Sequence, residues 1–236
     1  MAIFRRTETS PLERNKIYDN TKTILYDVQD LKDLSEHIYS PEEIKQWRVD
    51  ESIENHPLAR KPTNVRSKLA FREILRVLNP SKKYCLPGQV VLFKYDEPKY
   101  KDELEYYDAT PMCIFFGITR TKDNNIREIA FNLHYFPPYA RMKIMNAVFE
   151  VYRAYYEKYF NNAPNKPNKY INYDVLKRML RRQKIGFGLR MYIPVLRRQT
   201  YVLPTKMIPT ACFTEGHFNG ATLANLRAYW RKATRR

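Results

Sequence analysis

The sequence predicts an α+β fold: a small SH3-like β-barrel or curved antiparallel sheet, framed by N-terminal helices and by basic C-terminal helices. Three observations lead there. Between Gln89 and Tyr135 apolar residues recur at a period of two, the signature of a half-buried strand. At Pro137-Pro138 the period changes to about 3.6 residues, the helical repeat, so a strand delivers the chain directly into a long amphipathic helix. The net charge of +17 is concentrated in residues 151–236, which carry 18 basic and 3 acidic side chains, leaving 24 and 22 for residues 1–150.

Two regions follow from the patterning, a helical N-terminal region with an extended arm over residues 1–80 and a β-core with a long helix and a basic helical end over residues 81–236. The arm is residues 1–20, polar and without periodicity. From Thr21, Ile24, Leu25, Val28, Leu31, Leu34 and Ile38 recur at helical spacing, with Lys22, Asp27, Asp30, Lys32, Asp33 and Glu36 on the other face. Ser40-Pro41-Glu42-Glu43 combines an N-cap serine, a proline in the first turn and a glutamate three residues on, a capping box that opens a short helix through Trp47. A linker runs from His56-Pro57 to Lys61-Pro62. Thr63 then caps a third helix with Val65, Leu69, Leu75 and Leu78 as its apolar stripe, ended by Asn79-Pro80. Averaged over its length, the near-neutral N-terminal region suits protein contacts better than nucleic acid.

In the β-core, Pro87-Gly88 turns the chain into the alternating segment from Gln89 to Tyr95. A charged, tyrosine-rich loop from Asp96 to Asp108 leads to the apolar run from Pro111 to Gly117, and a turn at Lys122-Asp123-Asn124-Asn125 leads to a third strand. There Ile129, Phe131, Leu133 and Tyr135 face one way and Ala130, Asn132 and His134 the other. The following helix runs from Pro138 to about Phe160, with Ala140, Ile144, Ala147, Val148, Val151 and Tyr155 as its stripe. After an Asn/Pro/Lys loop at residues 161–168, a helix starting near Asn172 buries Val175, Leu176, Met179 and Leu180 and ends at Gly186-Phe187-Gly188. Residues 189–207 read as extended, and a last helix from about Asn219 uses Leu223, Leu226 and Trp230.

The segments from Pro87-Gly88 to Asp96, from Lys99-Tyr100-Lys101 to Asp108, and Phe131-Asn132-Leu133-His134-Tyr135-Phe136-Pro137-Pro138-Tyr139-Ala140-Arg141, with Leu203-Pro204-Thr205 to Phe213 and Leu226-Arg227-Ala228-Tyr229-Trp230-Arg231, resemble a family of tailed-bacteriophage virion proteins, the T-even-type DNA end protectors. The resemblance runs from about residue 87 to residue 236. It departs at Glu105, where the family tends to place a proline, and at Ile129 to Phe131, where it tends to place glycines. It implies a late virion protein, made in the host cytoplasm, that binds the packaged double-stranded DNA end and protects it or retains it at the neck. Partners implied are DNA and other virion proteins, in several copies arranged as a ring.

The residues themselves bear on that expectation. A 44% hydrophobic, 14% aromatic chain can build a core, and no apolar run reaches the roughly 18 residues of a membrane span. The first residues also lack the apolar stretch of a signal peptide. Cys85, Cys113 and Cys212 lack metal or redox spacing and read as small apolar residues. The four histidines are scattered. His134 is the best catalytic candidate, against a structural reading as a hydrogen-bonded sheet histidine. Asp96, Glu97, Asp102, Glu103, Glu105 and Asp108 could hold a divalent cation, but Lys94, Lys99 and Lys101 interleave with them as in a solvated, salt-bridged loop, which Tyr95, Tyr106 and Tyr107 pack onto the barrel.

The basic third is weighed differently, because so many cations with so few anions repel one another unless a polyanion is present. Candidate phosphate contacts are Lys177, Arg178, Arg181, Arg182, Lys184, Arg190, Arg197, Arg198, Arg231 and Arg235. Arginine predominates, which suits bidentate phosphate binding, and nothing encodes base reading. The expectation is therefore a non-enzymatic, sequence-indifferent DNA-binding protein without metal or cofactor. A structural head-tail neck or tail connector docking acidic neighbours is the alternative, and a metal-dependent DNA-processing enzyme is the weaker third reading.

Overall fold

The computed structural model describes residues 53, 55–80, 85, 87–96, 107–161, 170–216, 218, 225 and 228. The expected arm, the two helices before residue 50, most of the acidic loop, the loop at residues 162–168 and most of the last helix lie outside these residues.

Five antiparallel strands form one sheet in the order β4-β3-β2-β1-β5: β1 Val90–Tyr95, β2 Met112–Arg120, β3 Ile126–Asn132, β4 Leu189–Tyr192 and β5 Arg197–Val202. The first three are the expected strands. The other two come from the stretch that read only as extended, and they take the two edges. A short 3₁₀ turn, Pro194–Leu196, carries the chain from the β4 edge to the β5 edge. Because β4 and β5 are not paired with each other, the sheet curves without closing, and the open form of the expected fold is the one adopted. The register of β2 on β3 shifts between Phe115 and Gly117, where Gly117 has φ 137°. A backbone in that region favours glycine, and such a bulge bends the strand.

The period of two in the strands separates two cores instead of separating core from solvent. Val90, Leu92, Met112, Ile114, Phe116, Ile129 and Phe131 belong to the larger cluster, under the helices. Val91, Phe93, Tyr95, Cys113, Phe115, Ala130 and Tyr192 form a second cluster with Cys85 and Tyr107. All of β2 except Arg120 is buried. All three cysteines are free and buried, and burial pushes the thiols of Cys85 and Cys212 up to about 12.

Four helices are described: α1 Thr63–Val77, α2 Pro138–Tyr156, α3 Tyr173–Arg182 and the single turn α4 Ile208–Ala211. In α2 the proline takes the first turn as expected, and Val148, Val151 and Tyr155 of the expected stripe are buried, while Ala140, Ile144 and Ala147 are only half-buried and Met142, Met145, Phe149 and Tyr152 complete the buried face. It includes the fully buried Arg141. For α3, the side chain of Asn172 accepts from the Val175 N–H at 3.1 Å, and Leu176 and Leu180 are buried.

In α1, Thr63 is the first helical residue and makes no side-chain cap. The helix buries Ala70 and Ile74, packs on α4, and leaves the expected core residues Val65 and Leu75 at 40% and 52% exposure. Helical spacing alone does not say which of two apolar rows faces the core.

Gly188 sits where β4 begins, and a Cβ there would meet the Phe131 ring at 2.5 Å. Phe131 is fully buried and stacked on Phe136 with ring centroids 5.5 Å apart, so it has no room to yield. Gly188→Ala is expected to lower the unfolding free energy by about 1–3 kcal/mol, the usual cost of overpacking. Equilibrium denaturation reads this directly; an unchanged midpoint would show that the ring can move.

Candidate nucleic-acid interface

The eight described candidate cations divide by burial. On α3, Arg178, Arg181 and Arg182 are exposed, as is Lys184 just beyond its end. None of the four makes an ion pair among the described residues. They lie off the row of Leu176 and Leu180 that anchors the helix. Arg181 and Arg182 also sit in the last turn, where cations complement the negative end of the helix dipole, a structural reason for their presence. That reason does not extend to Arg178, a turn earlier. Lys177 is half-buried, with its ammonium 5.2 Å from the centre of the Tyr173 ring.

Arg190 and Arg197 are committed elsewhere. The Arg190 guanidinium lies 4.4 Å from the centre of the Tyr135 ring and donates to the Tyr135 hydroxyl at 3.2 Å and to the carbonyls of Phe187 and Leu189. The Arg197 guanidinium pairs with buried Glu128 at 2.9 Å and donates to the Cys85 sulfur. Both arginines brace the sheet. Arg231 and Arg235 lie outside the described residues.

Arg198, on the β5 edge, is exposed and sits directly opposite exposed Lys94 in the β1–β5 register. Like charges directly opposite across a ladder destabilise it unless an anion joins them. Lys94 was absent from the sequence candidates because it read as part of the acidic loop. The cations of α1 were missed for a similar reason: Arg66, Lys68, Arg72 and Arg76 stand against the single acid Glu73, but averaging over residues 1–80 hid them. Counting charge helix by helix would have found them.

His134 does have the partners that the sequence could not supply. Its Nδ1 lies 3.0 Å from Asp108 Oδ2 and its Nε2 3.0 Å from Thr214 Oγ1. Asn132 Nδ2 donates to the same carboxylate oxygen at 2.9 Å, and the Thr110 N–H donates to the other at 3.1 Å. The strand expected to continue to Tyr135 stops at Asn132, whose side chain accepts from the His134 N–H at 2.9 Å and starts the 3₁₀ turn Leu133–Tyr135.

Hydroxyl accounting assigns the protons. Thr214 Oγ1 donates its one hydrogen to the Ala211 carbonyl at 2.7 Å, so it accepts from His134 Nε2. Nδ1 then donates to an ionised Asp108. Burial by itself raises the Asp108 carboxyl, but the His134 charge, its hydrogen bond and those from Asn132 and Thr110 together hold it below the usual range.

Threonine, histidine and aspartate in this order have the connectivity of an acyl-transfer triad. Here, however, His134 and Thr214 are at 0% exposure, and the Thr214 hydroxyl is spent on a backbone carbonyl. The arrangement is a clamp. Beside it, buried Arg141 donates to the carbonyls of Phe136, Cys212 and Thr214, and burial lowers its guanidinium to about 10.

A family model described as the phage T4 terminal DNA protecting protein matches residues 38–201. The match takes in α1, which lies upstream of the residues that carry the sequence resemblance. No curated protein and no solved structure matches the chain.

The clamp makes a pH-dependent prediction. A carboxyl held below its unfolded value contributes stability above that value, about 3.9, and loses it as pH falls through the folded one. Unfolding free energy is therefore expected to drop below about pH 4. Asp108→Asn is expected to cost about 3–5 kcal/mol at neutral pH, because it leaves a buried imidazole without its counter-charge, and to flatten the acid limb. Denaturation of both proteins across pH 3 to 7 tests this; parallel pH profiles would contradict the assignment.

Proposed function

The chain belongs to the phage T4 terminal DNA protecting protein family, and from that premise we propose that it binds the packaged duplex end through backbone phosphates, without reading sequence. The observation that carries the binding mode is the exposed, unpaired cation face of Arg178, Arg181, Arg182 and Lys184 on a helix anchored by Leu176 and Leu180. The anchored helix fixes the backbone from which these charges project, so phosphate contact orders side chains only and not the backbone. Guanidinium groups suit bidentate pairing with phosphate oxygens. Arg198 with Lys94 on the β1–β5 edge adds a second anion-seeking pair.

Protection in this reading is steric and the protein is not an enzyme. A protein seated on a duplex end denies the terminus to an exonuclease with no bond made or broken. Retention at the neck of the virion, in a ring of copies among other virion proteins, extends the same reading and rests on the family resemblance.

Duplex affinity is expected to fall steeply with salt, with a log–log slope of about 0.9 per phosphate contact. Arg178→Glu, Arg181→Glu and Arg182→Glu together are expected to weaken binding and to lower that slope by about 3. Glutamate is about as good a helix former as arginine, so the fold should persist. Salt titrations by fluorescence anisotropy on two unrelated sequences test both points. A slope near zero, or an unchanged slope in the triple variant, would overturn the phosphate assignment. A variant that binds DNA normally but fails to enter particles would favour the connector.

A further inference from the structure

Beside α1 the described residues line an open groove of about 900 Å³. Along it run two parallel rows of side chains from the same helix. Lys68, Arg72 and Arg76, spaced four residues apart, make one row and are exposed. Half-buried Phe71 and half-exposed Leu75, also four apart, make the other. Residues four apart lie on one face of a helix, about 6 Å along its axis, so each row is a straight ridge.

The opposite wall is fixed in place. The Glu215 N–H donates to the Ser67 hydroxyl at 3.0 Å, and the Glu215 carboxylate stands 3.7 Å from the Arg66 guanidinium. That pairing offsets the one negative charge in the groove. α1 itself is held from behind, with Ala70 and Ile74 buried in the larger core and the helix packed on α4. The two rows therefore stand on a supported helix.

Resting on the family-based reading above, we propose that this groove is the site that recognises the DNA end as an end, seating the terminal nucleotides with their phosphates along Lys68, Arg72 and Arg76 and a base face on Phe71 and Leu75. Charge complementarity selects a polyanion for the cation row, but the apolar row narrows the choice further. The interior of a duplex offers phosphates with its base faces stacked inside. Only a terminus exposes a flat, apolar base face beside its backbone. A site pairing a cation row with an apolar row matches that surface, in the manner of the stacking platforms that hold single-stranded nucleic acid. The groove supplies the distinction between end and interior that a purely cationic face such as that of α3 does not, since phosphate contacts are the same everywhere along the duplex. It also covers the nucleotides that an exonuclease must engage.

The test is competition at fixed salt between a linear duplex and a covalently closed circle of the same sequence, read by anisotropy of a labelled linear probe. Wild-type protein is expected to prefer the linear form. Phe71→Ala is expected to cost about tenfold in linear affinity and to leave circle affinity unchanged. Leu75→Gln, at a half-exposed position where folding is not at risk, is expected to shift the preference the same way. Phe71→Trp is expected to keep it. If the wild type prefers ends and both disruptive variants retain the full preference, the groove assignment is overturned while the end-binding function stands. If the wild type binds neither form, or binds both equally, end recognition fails for the protein and for the groove together.

Discussion

The structure depends on a polar clamp buried at the junction of three chain segments. Asp108 comes from the end of the long β1–β2 connection, His134 from the turn that ends β3, and Thr214 from the segment after α4. These segments are far apart in sequence, and the clamp joins them by directional contacts beside the apolar packing of Tyr135 on Phe218, whose ring centroids are 5.6 Å apart. The His134–Asp108 pair is strong because it lies out of water, and it is affordable because every polar atom of the carboxylate and imidazole finds a partner. Arg141 extends the clamp by gathering the carbonyls of Phe136, Cys212 and Thr214. The groove wall at Glu215 and Gly216 is therefore continuous with the clamp, one residue beyond Thr214. A contact deep in the core thus sets the position of a surface facing outward.

Around that point the positive charge divides into two populations with different work. Arg141, Arg190 and Arg197 are engaged by carbonyls, a tyrosine ring and Glu128, and hold secondary structure together. Lys68, Arg72 and Arg76 of α1, Arg178, Arg181 and Arg182 of α3, and Lys94 and Arg198 of the β1–β5 edge are exposed, where a polyanion would neutralise them. A net charge read from composition treats both populations alike. Only burial and partner geometry separate structural arginines from those available to phosphate.

Much of the fold was legible in the sequence because local signals agreed. The three strands before residue 135, the proline start of α2 and the Asn172 cap of α3 each rest on interactions within a few residues. The sheet edges were not legible, since the pairing of β4 with β3 and of β5 with β1 is a long-range choice that leaves no local pattern. The partners of His134 were hidden for the same reason: Asp108 and Thr214 are 26 and 80 residues away. Of the cation candidates, the exposed face of α3 followed from its amphipathic spacing. The sheet-bracing roles of Arg190 and Arg197 did not, because an arginine in an extended segment looks the same whether its guanidinium meets solvent or Glu128.

The central claim is steric protection of a duplex end by a protein that performs no chemistry on it. The most direct measurement is digestion of a linear duplex by a processive exonuclease in the presence of increasing purified protein, with magnesium present throughout. The account predicts that terminal degradation stops once protein saturates the ends, that a nicked circle, which has no duplex terminus, gains far less protection at the same concentration, and that protein alone leaves both substrates intact. Degradation at an undiminished rate with the ends saturated, or cleavage by the protein itself, would contradict it.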